Sequence, residues 1–330
     1  MSTEWQKMSK RISNWGRWGE HDQMGTLNFI TPDKIAAAAA LARTGKVFSL
    51  CIPIDGDGPM ASNSVRRNPV HLMTLDGGDS ELVNIVKDWK GRTALDDSLI
   101  DMYAPGPMRF NDDYLFMALQ SSTQWDALSH VYYDDHLYNG YPAKMVTSTG
   151  ATRDSIDQVA QAGQILGRGV LLDVARFKGV NALAPGSVIT VQDLEDTAVA
   201  QGVTVGEGDI LLIRTGWTSR IGDFAPGTPD WIGGSPGVSW RVAQWLHDHS
   251  VAAIAADNIA VEVMAPEDGI VLLFHMLAMR DMGMMLGEIW DLEALGADCA
   301  DDGIYEFLLS AAPLEVTGGV GSPVNPLAIK

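Results

Sequence analysis

Within the seven residues QWDALSH, Gln124, Asp126 and His130 bring together an amide, a carboxylate and an imidazole. Each of these groups can bind a divalent cation or handle a proton. Alternate residues of a strand share a face. An extended 122–130 therefore sets Gln124 and Asp126 ~7 Å apart on one side, near enough to converge on one ion. His130 would lie ~13 Å beyond Asp126 unless the chain bends. One helical turn after Asp126 removes the difficulty, because 126 and 130 then stand at i and i+4. The spacing predicts a strand end running into a turn, with the chemistry at the bend. Oxygen donors with one or two imidazoles suit Mn²⁺ or Zn²⁺, and an amide oxygen in place of an imidazole favours the harder ion. A Gln-x-Asp pair is also an ordinary solvated or capping pair, so a site needs a second cluster to close it.

The candidate second cluster is LLFHMLAMRDMGMMLGEIWDL, which carries His275 and Glu288. Leu272 to Met282 predicts a helix stopped by Gly283, and MMLGEIW then predicts a short strand. His275 reads either as a hydrogen-bonded core histidine or as a ligand. Glu288 lies in an apolar strand, a costly place for a carboxylate without a partner.

The elements that must position these residues are partly legible. TPDKIAAAAALARTG has Thr31 as N-cap, Pro32 at the first helical position and Gly45 just past the end. VFSLCIPI (47–54) predicts a buried strand. GVLLDVA (169–175) predicts another, with Asp173 an odd choice for a core. TVQDLEDTAVAQG predicts a helix capped by Thr190 with Asp193 three residues on, ending at Gly202. GDILLIRTGW (208–217) predicts a strand. VSWRVAQWLHDHS (238–250) predicts an amphipathic helix with Val242, Trp245 and Leu246 on one side. VAAIAADNIAVE (251–262) predicts a strand running out into polar residues, and FAPGTPDWIGGSPG (224–237) a surface loop. Alternating strands and helices through the second half imply an α/β or mixed class.

Composition narrows the function. The chain has 330 residues with 46% hydrophobic and 20% charged, enough for a sizeable core. A net charge of −19 argues against nucleic acid or an anionic membrane as partner and disfavours polyanionic substrates outside a locally positive pocket. Two cysteines, Cys51 and Cys299, cannot build a disulfide framework. The polar N-terminus has no signal-peptide apolar core, and KIAAAAALA is about half the ~20 residues that span a bilayer. A soluble cytoplasmic protein is the expectation. No GxxxxGK[ST] or GxGxxG phosphate loop occurs. Neither cysteine has a histidine nearby in sequence, and the glycine–serine pairs of GGSPG and GGVGSPV lack the strand–turn–helix setting of a nucleophile elbow.

At QSSTQWDALSH (120–130) the sequence resembles the metal-dependent cyclase family, whose members include bacterial kynurenine formamidase and isatin hydrolase. The family motif is H-x-G-T-H-x-D-x-P-x-H. Thr123, Asp126 and His130 match it. Gln120 and Gln124 stand where the family has its first two histidines, Ser122 replaces glycine and Leu128 replaces proline. His275, Gly283 and Glu288 meet the later family pattern. WGEHDQMGTLNFITP, GRGVLLDVAR and GSPVNPLAIK look like landmarks of the longer bacterial branch.

The resemblance implies a mixed, β-rich α/β fold of the swivelling β/β/α type. It implies a single domain over 1–330 whose two half-sites meet in one cleft. It assigns Gln124, Asp126 and His275 as ligands of one divalent metal ion, Mn²⁺ favoured and Zn²⁺ the alternative. Glu288 becomes a further ligand or a base, and His130 the residue that handles the proton of the attacking water. Both glutamines argue for one ion rather than two. A homodimer or homotetramer is implied, with the segment about 1–30, rich in Trp5, Trp15 and Trp18, at a subunit interface.

The activity implied is hydrolysis of an amide, imide or lactone in a small cyclic or aromatic compound by a metal-activated water. The alternatives are lyase or isomerase chemistry at the same metal, and a metal-free homologue that only binds. Trp125, Met264, Met276, Met279, Met282, Met284 and Met285 either fill the core or line an apolar pocket. His71 is either a substrate contact or a surface histidine.

Overall fold

A computed structural model describes residues 3–60, 65–86, 98, 108–163, 165–224 and 230–330. Its frame is one mixed nine-stranded sheet. In chain order the strands are β1 (Val47–Ser49), β2 (Gln124–Asp126), β3 (Leu166–Asp173), β4 (Ile210–Arg214), β5 (Ala253–Ala256), β6 (Met285–Glu288), β7 (Glu306–Ser310), β8 (Gly321–Pro323) and β9 (Leu327–Ile329). Across the sheet they run β1-β9-β7-β3-β4-β5-β6-β2-β8. The central four, β3 to β6, are mutually parallel, and the flanking pairs are antiparallel. Beyond β1 the chain crosses to the far half of the sheet. Cys51 bridges Trp290 and the Ile52 amide donates to Thr123 Oγ1, so the sheet is curled.

A parallel strand buried on both faces needs apolar residues at every position, and ILLIR and AIAA supply them. Val170, Leu172, Leu211, Ile213, Ile254 and Leu286 face one layer of core with Met8, Ile12, Leu246 and Phe274. Leu171, Ile210, Leu212, Ala253 and Met285 face the other, with Trp125, Trp290 and Phe307. Each fully buried leucine or isoleucine contributes ~1.5–3 kcal/mol, so this double layer fixes the register of the strands that carry the site.

Strands form at the predicted segments GVLLDVA, GDILLIRTGW and VAAIAADNIAVE but with different ends. Leu166–Asp173 starts earlier and gives way to a helix at Val174, and the others are shorter, Ile210–Arg214 and Ala253–Ala256. Thr190 and Gly202 bound the helix Val191–Gln201. Asp173 caps the short helix after β3, accepting from the Arg176 amide, and pairs with the buried Arg214 at 2.8 Å. Other elements differ. VFSLCIPI is strand only over Val47–Ser49, and Val47 is largely exposed because β1 pairs on one side only. The helix from Pro32 ends at Ala39, well before Gly45, because the Thr44 and Gly45 amides turn onto the Lys330 carbonyl. The amphipathic helix is shorter, Val242–Asp248, with its predicted face buried. In 224–237, residues 225–229 lie outside the described residues. The rest is not a surface loop, since Asp230–Gly233 is helical and the Trp231 ring is buried against Trp217. The segment Leu272–Met282 begins as one α turn, Leu273–His275, and continues as a π-helix, Met276–Met282, before Gly283 ends it at φ +70°. A side chain on Gly283 would collide with the Tyr138 ring. Among the described residues no helix is long and apolar enough to cross a membrane.

One buried carboxyl away from the chemistry carries a pH dependence. Neither carboxyl oxygen of Asp154 has a hydrogen-bond partner. Burial, reinforced by Asp22 nearby, raises its pKa from 3.8 to about 8. A raised folded pKa favours the protonated form, so this stabilisation is full below about pH 4 and is lost as pH rises through 8. Asp154→Asn keeps a neutral group of the same shape. Its Tm should fall less than that of the wild type between pH 6 and 9 in calorimetric scans, and parallel profiles would refute the assignment.

Candidate metal centre

The antiparallel register of β2 on β6 sets Gln124 opposite Glu288 and Asp126 opposite Leu286. Opposed residues share a face, so both carboxylates and the amide project into the layer beneath the helix Leu273–His275. Trp125, between them, points the other way and packs edge-on against Trp290 at 5.0 Å. After Asp126 the chain bends as expected. The His130 amide closes a turn on the Ala127 carbonyl, and His130 Nε2 comes within 3.8 Å of Asp126 Oδ2.

The two clusters meet. His275 Nε2 is 3.1 Å from Glu288 Oε1 and 4.0 Å from Asp126 Oδ2. One ligand atom each from Asp126, His275 and Glu288 falls within a 4.8 Å span, and all three residues are buried. Gln124 Nε2 donates to Glu288 Oε2 at 2.6 Å and lies 3.4 Å from Asp126 Oδ1. Gln124 Oε1 and Asp126 Oδ2 are buried without a hydrogen-bond partner among the described residues. Gln120, also buried, lies over Gly321, with its Nε2 unpartnered.

Strain and support surround the centre. Glu262, after the end of β5, accepts from His275 Nδ1 at 2.5 Å and from the amides of Phe274 and His275. It thereby fixes the ring with Nε2 turned towards Glu288 and Asp126. Asn258 holds the loop that delivers it, accepting from the Val261 amide at 2.7 Å, and the Ile289 amide closes on the Asn258 carbonyl. Val261 beside Glu262, Ile289 beside Glu288 and Leu272 just before the helix that carries His275 all have φ near +58°. For residues other than glycine that conformation costs ~1–3 kcal/mol each, and it persists where surrounding contacts impose it. Glu262 escaped the sequence reading, although a carboxylate inside the apolar IAVEVM is the same signal that marked Glu288.

The electrostatics ask for a cation. Burial, then the charge of Glu288, raises the Asp126 pKa well above the usual range, against the pull of His275 and Arg66. Burial opposes a charged His275, but its hydrogen bonds to Glu262 and Glu288 outweigh that and lift its pKa to about 10. Burial, then Arg66 and His275, lowers the His130 pKa to about 3, so its ring is neutral. Two carboxylates and an imidazole nitrogen converge with orphaned oxygens beside them. This is the donor set of an oxygen-rich divalent site with a carboxylate-supported histidine, and the residues fit such an ion.

Above the centre lies a cavity of about 190 Å³ walled by Met60, Val65, Ile232, Ile259, Ala260, Met264 and Leu272. His130, His275, Glu288 and Arg66 form its polar floor. Arg66 Nη2 is 3.0 Å from His130 Nε2. Of the methionines singled out in the sequence, Met264 lines this cavity. Met279, Met282, Met284 and Met285 fill core, and Met276 packs partly buried against it. His71 sits on an exposed two-stranded antiparallel ribbon, paired with Asp113 at 2.7 Å. Trp5, Trp15 and Trp18 pack on their own chain, Trp15 donating to the Arg280 carbonyl.

The family model described as "Putative cyclase" matches residues 48–263, well over half the chain. The chain belongs to the cyclase family. The matched stretch holds Arg66, Gln124, Asp126, His130 and Glu262 of the centre. A crystal structure described as a novel cyclase is 42% identical, with a TM-score of 0.84 over 98% of this chain and 99% of that one. Isatin hydrolase A from Ralstonia solanacearum is 18% identical, with a TM-score of 0.59 over 89% of this chain and 95% of that one. An isatin hydrolase bound to the product analogue thioisatinate is 15% identical, with a TM-score of 0.59 over 90% of this chain and 98% of that one. At these identities the isatin hydrolases establish a shared fold. No curated protein matches the sequence. The mixed, β-rich α/β architecture expected from the sequence is that of cyclase-family structures.

Proposed function

We propose that the protein is a metal-dependent hydrolase acting on an amide, imide or lactone of a small cyclic or aromatic compound. The carrying observation is the convergence of Asp126, His275 and Glu288 at the floor of an apolar-walled cavity, with a neutral His130 beside them. Asp126 and His275 would hold the ion, with Glu288 as a further ligand or as a base. Gln124 would join through Oε1 if its amide turned over. A divalent ion held there supplies positive charge to a carbonyl oxygen and a water of lowered pKa.

The chain's own residues do the rest. His130, whose Nε2 meets the Arg66 guanidinium at 3.0 Å, is the proton acceptor once that contact is released, since Glu262 and Glu288 already engage both nitrogens of His275. It takes a proton from the attacking water and returns it to the leaving nitrogen or oxygen. The walls exclude bulk water and suit one ring. Isatin hydrolase, which shares the fold, has a cyclic amide in its name, and that supports the reading.

The test is a screen of formyl-amides, cyclic imides and lactones with purified protein and added Mn²⁺ or Zn²⁺, read by product mass. Hydrolysis adds one water, whereas a product of unchanged mass would mean isomerase chemistry instead.

Gln124 gives a separate check on the ion. Its amide faces the carboxylates through nitrogen and leaves oxygen orphaned. A cation between the carboxylates reverses that preference. Gln124→His replaces an oxygen donor with an imidazole and should move the protein's preference from Mn²⁺ towards Zn²⁺ in competitive dialysis. An unchanged preference would remove residue 124 from the ligand set.

A further inference from the structure

Arg66 is a permanent cation in an apolar-walled cavity with the Glu288 carboxylate at its floor. One nitrogen, Nη2, lies 3.0 Å from His130 Nε2, and the other, Nη1, lies 3.9 Å from Glu288 Oε2. A guanidinium only donates, so His130 Nε2 must be the acceptor and the ring proton sits on Nδ1. That lone pair is the one directed towards Asp126, and hence towards any water activated there. While Arg66 occupies it, His130 cannot take a proton through Nε2. The contact with Glu288 is long for a hydrogen bond, and the Arg66 side chain is about a quarter exposed at the cavity wall, where a ligand can reach it.

We propose that Arg66 is the specificity-determining residue for a substrate that carries one carboxylate beside its apolar ring, and that binding this anion draws Arg66 off His130 and uncovers Nε2. Three observations meet here. A guanidinium matches a carboxylate in two parallel hydrogen bonds. Met60, Ile259 and Leu272 offer the ring an apolar wall. A single arginine suits a monoanion, and the net charge of −19 disfavours anything more highly charged. The inference rests on the hydrolytic reading of the site, but its test needs no turnover.

Benzoate and benzamide differ in charge and little else, and serve as probes. On Zn²⁺-loaded protein, calorimetry should find benzoate binding more tightly than benzamide. The preference should fall by about 10- to 100-fold in Arg66→Gln, the worth of hydrogen bonds to a charged partner. Arg66→Lys should restore part of it, and benzamide affinity should stay level across all three proteins. In ¹⁵N spectra of the wild type, benzoate should move the His130 Nε2 resonance downfield as it loses its donor, while benzamide should not. Equal affinity for the two probes, or a benzoate preference that survives in Arg66→Gln, would overturn the proposal. Loss of the preference in Arg66→Gln with no hydrolysis of any amide, imide or lactone would leave anion recognition standing and sink the hydrolytic reading.

Discussion

Asp126→Ala is expected to leave the purified protein without a divalent ion and without measurable turnover, whereas His130→Ala keeps the ion and loses about 10²–10⁴ in rate, the usual share of general acid–base catalysis. The two residues are close, with His130 Nε2 3.8 Å from Asp126 Oδ2, yet their environments divide the roles. Asp126 is fully buried and lies diagonally from Glu288 on the adjacent strand, and its Oδ2 has no hydrogen-bond partner among the described residues. Holding two such carboxylates together is costly unless a cation lies between them. Alanine removes one of them and leaves Glu288 satisfied by His275 and Gln124, so the pull on a cation collapses while the fold survives. His130 is neutral, stands at the cavity edge and supplies a lone pair without a charge. Metal content by elemental analysis, set beside turnover, separates the roles. Equal metal in wild type and Asp126→Ala would sink the centre as drawn, and metal loss in His130→Ala would make that residue a ligand.

What could be read in the sequence was what depends on short spacing. Gln124 and Asp126 share a face because strands alternate, and the bend to His130 follows from a four-residue interval. Thr190 and Gly202 mark a helix because capping chemistry is local. Elements set by distant partners were not legible. Pro32–Ala39 stops early because the Lys330 carbonyl, at the other end of the chain, captures Thr44 and Gly45. The apolar pattern after Leu272 predicts one helix, and that pattern cannot tell an α turn from the wider π-helix that forms. Arg66 lies in SVRRNP, where nothing local distinguishes it from a surface arginine. Its role comes from the curl of the sheet, which brings the segment after β1 over the strand end that carries His130. Glu262 follows a loop held in positive φ by Asn258, a conformation that no propensity would assign to Val261.

Glu262→Gln should weaken the divalent ion by about 10- to 100-fold, the usual cost of losing a carboxylate behind a metal-binding histidine. Glu262 does two things at once. It accepts from His275 Nδ1, which fixes that proton and turns Nε2 towards Asp126 and Glu288, where a bound ion would replace the Nε2 proton. It also accepts from the Phe274 and His275 amides, the open donors at the start of the helix, a capping role played by a residue from another loop. Glutamine keeps one oxygen for these donors but turns an N–H towards the others. It also withdraws the charge that made the imidazole a strong donor to metal. Glu262→Ala removes the oxygen altogether and leaves buried N–H groups unmet, at ~1–3 kcal/mol for each. The two variants therefore separate the roles. Glutamine should lower metal affinity with a modest loss of Tm, and alanine should lower both. Titration calorimetry with Mn²⁺ and thermal scans of the metal-stripped proteins give the two readings independently. If Glu262→Gln bound Mn²⁺ as tightly as wild type, the carboxylate would be a helix cap only, and the orientation of His275 would have to come from Glu288.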